Sequence, residues 1–208
     1  MVEHYFTREP GARHREKLIT ARLRGREYRF WTDSSVFSKD RVDRGTRLLI
    51  EGVSLREDAW VLDLGCGYGP IGIAVAALVP RGRVYLVDVN ERAVSLARRN
   101  VELNGVGNAI VLQGEGYEPV AGMMFDAILT NPPIRAGRKV IVGLIAEART
   151  HLRESGSFWL VARTRQGVLS LAAEMERIFG NAEECEKGGG FRVIRSQNLR
   201  PSIGLRET

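Results

Sequence analysis

Two short segments of this 208-residue chain set reactive side chains beside an unusual backbone: Asp63-Leu64-Gly65-Cys66-Gly67-Tyr68-Gly69 and Asn131-Pro132-Pro133-Ile134. In the first, closely spaced glycines let the main chain pass against a ligand. Gly67 to Gly72 also satisfies the G-x-G-x-x-G pattern of dinucleotide-binding turns. Asp63 narrows the choice. A carboxylate beside such a turn repels a pyrophosphate, as in NAD, and favours a ligand with a positive charge, such as the amino group or sulfonium of S-adenosyl-L-methionine. Asp88 is placed to take both hydroxyls of a ribose in paired charge-assisted hydrogen bonds, a role open to either cofactor. Glu115 is either an acceptor for an adenine amino group or an exposed turn acid.

In the second segment, consecutive prolines fix the backbone and remove two N–H donors. The Asn131 side-chain oxygen and the Pro132 carbonyl are then free to accept both hydrogens of one planar amino group. That grip suits methylation of a conjugated amine. The nitrogen lone pair is delocalised, and two acceptors favour the pyramidal geometry that exposes it to an electrophilic methyl group. No strong base is needed first, because the proton leaves once the nitrogen bears charge.

Both segments need strand ends to hold them. Trp60–Leu64 reads as a buried strand, followed by the glycine turn and an apolar helix from Pro70 to about Val79. Val84–Val87, Ala109–Leu112, Phe125–Leu129 and Phe158–Ala162 read as further strands. Helices are expected from Glu91 to Asn104, on the face Ile141, Leu144, Ile145, Ala148 and Leu152, and from Val168 to Phe179. Two short strands, near Ala182–Glu186 and Phe191–Ser196, close the chain. Asp43 is expected to cap a helix reaching about Gly52. The alternation predicts an α/β fold: a Rossmann-like, doubly wound, mostly parallel seven-stranded sheet with an antiparallel C-terminal strand. Residues 43–208 form the expected domain, and residues 1–42 a basic N-terminal extension packing on it, with one strand at Glu27–Thr32.

The net charge of +6 is uneven: residues 1–47 carry +5, residues 187–208 carry +4, and the middle carries −3. Basic flanks around a slightly acidic middle suit a catalytic core with edges that face nucleic acid. Arg22, Arg24 and Arg26 would share one face of an extended segment. Cys66 and Cys185 lie far apart, and the three histidines do not cluster with them, so neither a disulfide framework nor a metal site is expected. The longest apolar run, Ile71 to Val79, falls short of the roughly 20 residues of a membrane-spanning helix. A cytoplasmic location follows as the expectation, with no membrane partner, and the oligomeric state is left open.

Val36-Phe37-Ser38, the segment Asp43–Val53, Asp63–Gly72 and Asn131–Ile134, in this order, resemble the small-subunit ribosomal RNA guanine-N2 methyltransferases, within the class I S-adenosylmethionine-dependent methyltransferases. The resemblance runs from about residue 25 to residue 196. It implies transfer of a methyl group from S-adenosyl-L-methionine to guanine N2 of ribosomal RNA. It carries cofactor binding onto Asp63, Gly65, Gly67, Asp88 and Glu115, and catalysis onto Asn131 with the Pro132 carbonyl. The family's usual aromatic after the two prolines is replaced by Ile134, followed by Arg135. The base would then be held by Ile134, Arg135 and an aromatic from elsewhere, with Phe37 and Trp31 as candidates. Transfer RNA, DNA adenine and protein glutamine are alternative acceptors within the same chemistry. An NAD-linked oxidoreductase and a non-catalytic RNA-binding assembly factor are the readings from other classes.

Overall fold

The computed structural model describes residues 15–34 and 40–199. The strands are β1 (Lys17–Leu23), β2 (Arg26–Thr32), β3 (Trp60–Leu64), β4 (Arg83–Asp88), β5 (Ala109–Gln113), β6 (Phe125–Thr130), β7 (Leu152–Arg163), β8 (Glu183–Gly188) and β9 (Phe191–Gln197). The helices are α1 (Arg44–Gly52), α2 (Pro70–Ala76), α3 (Glu91–Leu103), α4 (Arg138–Ala148) and α5 (Val168–Phe179).

β3 is nearly all apolar because both of its faces are covered. Val61 packs with α1, α2 and α3 in one core cluster, while Leu62 and Leu64 pack with α4 and α5 in the other. Seven strands lie in the order β5-β4-β3-β6-β7-β9-β8. Those from β5 to β7 pair in parallel, and β9 pairs antiparallel with both β7 and β8. The expected Rossmann-like, mostly parallel seven-stranded sheet with an antiparallel C-terminal strand is therefore the observed one. The chain leaves β3 toward β4 on one side and returns to β6 on the other. This reversal opens a crevice at the carboxyl ends of β3 and β6, where doubly wound folds bind ligands. The Thr130 hydroxyl donates to the Leu64 carbonyl at 2.9 Å and ties those two ends together.

Three differences from the sequence expectations have local causes. α2 stops at Ala76, because Leu78 and Val79 donate to Val75 and Ala76 in a tightened turn ahead of Pro80. Leu152 does not belong to α4 but opens β7 after a short turn, Arg149–His151. β7 begins six residues ahead of Phe158, in a polar run where its register against β6 shifts between Phe125 and Ala127.

The largest difference lies in the basic N-terminal stretch. Instead of one strand there is a hairpin, β1–β2, whose inward side chains Ile19, Ala21, Leu23, Tyr28 and Phe30 join the α1–α3 core. Arg24 and Gly25 both have positive φ, 47° and 77°, as a two-residue hairpin turn requires. Asn100 on α3 and Asn104, which caps that helix, grip the outer edge of β2. Asn100 bonds both backbone groups of Trp31 at 2.7 and 2.9 Å, and Asn104 those of Arg29 at 3.0 and 2.7 Å.

The expectation that Arg22, Arg24 and Arg26 present one basic face is overturned, because the turn falls between them. The Arg24 guanidinium instead closes the C-terminus of α1, donating to the carbonyls of Ile50, Glu51 and Val53 at 2.9, 2.9 and 3.0 Å. These are carbonyls that a helix end leaves unpaired. Arg24→Ala should accordingly cost about 1.5–3 kcal/mol in urea unfolding, the range for hydrogen bonds to a charged group. Arg26→Ala, at the exposed start of β2, should stay within about 0.5 kcal/mol. Equal effects of the two substitutions would remove the capping role.

Candidate active site

The glycine loop leaves β3 at Leu64 and enters α2 at Pro70. Its first two amides, Gly65 and Cys66, both donate to the Val87 carbonyl, at 2.9 and 3.0 Å, which folds the loop back over the end of β4. Gly65 and Gly67 have φ of 73° and 57°, and a Cβ on either would meet nothing within 4 Å. Conformation and access to the crevice explain these two glycines, since no packing constraint does. Gly72 differs: a Cβ there would lie 2.5 Å from Leu86, so it lets α2 sit close on the sheet.

Two carboxylates bracket the loop. Asp63 is fully buried; its Oδ2 accepts from the Gly72 amide at 2.8 Å, and its Oδ1 is buried with no partner. Burial drives its pKa up to about 7, against the Gly72 hydrogen bond, and repulsion from Asp88 adds to the rise. Asp88, at the end of β4, accepts from the amides of Gly67 and Asn90 at 2.8 and 2.9 Å. Its pKa is also raised by burial, although the amides of Asn90, Gly67 and Val89 oppose the shift. Among the described residues no Lys or Arg pairs with either acid. The Tyr68 hydroxyl is likewise buried without a partner, and burial together with the Asp43 charge keeps it protonated. The loop thus holds an unsatisfied acceptor, an unsatisfied donor and uncompensated negative charge, with open space over Gly65 and Gly67. A ligand bearing both a cation and polar groups fits that set. Glu115 is exposed in the turn after β5, where the Gly114 amide donates to the Asp88 carbonyl at 3.1 Å.

Across the crevice, Asn131 follows β6 and is half-buried. Its Nδ2 donates to Thr46 Oγ1 at 3.0 Å and to Asp43 Oδ2 at 3.3 Å. A carboxylate can only accept, so the amide nitrogen must face Asp43, and both its hydrogens are used. The acceptor Oδ1 is the end that remains. Asp43 Oδ2 also accepts from the Gly45 and Thr46 amides at 2.8 and 3.2 Å, so the cap of α1 and the anchor of Asn131 are one carboxylate. The Pro133 carbonyl accepts from Ala136, whereas no described donor takes that of Pro132. Neither Asp43 nor Thr46 is marked by the sequence as a partner of Asn131. The only signal is the capping position of Asp43, with Thr46 one helical turn beyond it.

The remaining expected residues are placed less centrally. Ile134 packs toward Ile141 and Leu171, lining a small cavity of about 100 Å³ with them. Arg135 lies in the short turn Ile134–Ala136. The Trp31 ring is covered by the Arg99 guanidinium at 3.9 Å, so that face is not open to a base. Phe37 lies outside the described residues.

The methyltransferase small domain profile matches residues 27–195. An uncharacterised Bacillus subtilis protein, YbxB, is 38% identical over 96% of this chain and 100% of its own length. The ribosomal RNA small subunit methyltransferase C of Pseudomonas entomophila is 33% identical over 77% of this chain, and the large subunit methyltransferase G of Streptomyces avermitilis 32% over 78%. The aligned regions make up 48% and 43% of those two proteins, so the chain spans about half their length. Among solved structures, the Thermus thermophilus 16S rRNA N2 G1207 methyltransferase RsmC, in complex with AdoMet and guanosine, superposes with a TM-score of 0.79 at 28% identity. That match covers 89% of this chain and 51% of RsmC.

Asp63 leaves a signature in stability. Its folded pKa lies above the ordinary carboxylate value, so the native state holds the proton to higher pH than the unfolded chain does. Its contribution to stability should therefore fall as pH rises from about 4 to about 7 and level off above. Asp63→Asn keeps an acceptor for Gly72 and removes the ionisation. It should flatten that slope and raise the melting temperature at pH 8. Parallel pH profiles for parent and variant would place the cost elsewhere.

Proposed function

The chain belongs to the methyltransferase small domain family, and on that premise we propose that it methylates an exocyclic amino group of RNA, guanine N2 of small-subunit ribosomal RNA, with S-adenosyl-L-methionine as donor. The observation that carries this reading is the fixed amide of Asn131. Its nitrogen is held by Asp43 and Thr46, which leaves Oδ1 as an acceptor beside the Pro132 carbonyl. Two neighbouring acceptors match the two hydrogens of an amino group. The relatives that act on ribosomal RNA, and the N2-guanine methyltransferase RsmC among the solved structures, support the acceptor.

In this reading Asp88 takes the ribose hydroxyls, and Gly65 and Gly67 let the backbone approach the adenosine. Asp63 Oδ1 and the Tyr68 hydroxyl meet the amino-acid end, and Glu115 reaches the adenine edge. Bound S-adenosyl-L-methionine supplies an electrophilic methyl group. The positive charge of that ligand favours ionised Asp63 and Asp88, which offsets the cost of burying them. Asn131 and Pro132 draw the two amine hydrogens out of the base plane, so the lone pair turns toward the methyl carbon. Methyl transfer to the nitrogen would break the sulfur–methyl bond and release S-adenosylhomocysteine, and the cationic nitrogen would then lose a proton to water. A base inside a helix must be unpaired or flipped to reach this crevice. Residues 43–208 serve as the catalytic domain and residues 1–42 as its basic flank, in a cytoplasmic enzyme.

The deciding experiment is mass spectrometry of nucleosides from ribosomal RNA treated with enzyme and isotope-labelled cofactor, run on each subunit's RNA. Label in N2-methylguanosine from the small-subunit RNA is expected. Label only in N6-methyladenosine, or only in protein, would overturn the acceptor. Asn131→Ala should abolish turnover while leaving affinity for S-adenosylhomocysteine nearly intact, because Asn131 acts on the amine. Asp88→Ala should instead weaken that affinity at least tenfold, about 1.4 kcal/mol, with the loss of charge-assisted bonds to ribose.

A further inference from the structure

Charge along the carboxyl edge of the sheet is segregated, with Asn131 at the boundary. On one side lie the uncompensated acids Asp63 and Asp88. On the other, Arg41, Arg44 and Arg163 line an open cavity of about 300 Å³, with Asp43, Gly189 and Phe191 completing its wall. Arg163 ends β7, the strand next to β6, so it lies about 5 Å, one strand spacing, to the side of the column that carries Asn131. Asp43 belongs to both places, since the carboxylate that anchors Asn131 also lines the cavity.

Ion pairing does not account for Arg44 and Arg163. No described carboxylate pairs with either. Arg44 opens α1, the end of a helix where a cation opposes the dipole, and no acidic residue balances it in that first turn. Arg163 rests its guanidinium 4.8 Å from the centre of the Phe191 ring, which holds it at the rim. The one acid in the cavity wall, Asp43, has its Oδ2 engaged by three N–H donors. Two such guanidinium groups against one carboxylate already held by N–H donors make a site for an oxyanion.

We infer that Arg44 and Arg163 grip a backbone phosphodiester of the polynucleotide whose amino group Asn131 receives. The inference rests on the RNA reading above and adds the element that holds the strand. A base drawn into the crevice leaves its sugar–phosphate at the rim. A guanidinium fork there fixes the register of the strand without reading its sequence. The segregation also sorts the two ligands by charge: the cationic one belongs on the Asp63 side, the anionic one on the Arg163 side.

The test is fluorescence anisotropy of a labelled single-stranded oligoribonucleotide against the parent and Arg44→Gln/Arg163→Gln, over a range of KCl concentrations. Glutamine keeps most of each side chain's length and removes its charge. The double variant should bind at least tenfold more weakly at low salt. Its log Kd against log salt should be flatter by about 0.7 for each phosphate no longer neutralised. Its melting temperature should stay at or above the parent's, and its S-adenosylhomocysteine affinity should match the parent. A variant with the parent's slope and Kd overturns the phosphate site while the RNA reading stands. A parent that does not bind the oligonucleotide overturns both. If guanosine monophosphate binds the parent as tightly as the oligonucleotide does and loses affinity in the variant, the site belongs to a free nucleotide, and the backbone assignment fails.

Discussion

One carboxylate oxygen, Asp43 Oδ2, joins three parts of the molecule that sequence separates widely. It accepts from Gly45 and Thr46 to start α1, and from Asn131 at the end of β6. The same side chain forms part of the wall of the arginine cavity. A helix cap is worth about 1 kcal/mol by itself. Its larger consequence here is orientational. A planar amide has two nearly isosteric orientations, and a neighbour that can only accept or only donate selects between them. With the nitrogen of Asn131 fixed toward Asp43, the acceptor end faces away from α1.

The position of α1 therefore matters as much as its cap. Arg24 closes its C-terminus from the hairpin turn, and Gly45 packs so tightly on Phe191 that an added Cβ would lie 2.6 Å from that ring. The hairpin is in turn held by Asn100 on α3 and Asn104 at its C-cap, and Asn100 also donates to the Tyr68 carbonyl in the glycine loop at 2.9 Å. Hydrogen bonds thus run from the loop through α3 and the hairpin to α1 and then to Asn131. The basic N-terminal stretch forms one wall of the site's support, and its arginines are partly structural.

Electrostatics divides the crevice. Burying Asp63 and Asp88 without cations raises both pKa values, a cost that a bound ligand of positive charge would offset. The arginines on the far side carry the opposite cost, crowding like charge near a helix start. Between them the amide of Asn131 is neutral.

The strand–helix alternation, the order of the two motifs, Asp63 and Asp88 at strand ends and the antiparallel closure were all legible in the sequence. Each is written in local periodicity or in residue types whose backbone preferences are strong, glycine and proline above all. The residues that orient Asn131 were not legible. Asp43 and Thr46 lie 88 and 85 positions away from it, and no local pattern encodes a meeting at that separation. The role of Arg24 was hidden for the same reason, and the two-residue turn at Arg24–Gly25 lacked an Asn-Gly or Asp-Gly signal. The sequence by itself determined which chemical groups stand at which strand ends. Only the tertiary structure decided which of them meet, because α1 and the hairpin reach the crevice through long-range packing rather than through their own propensities.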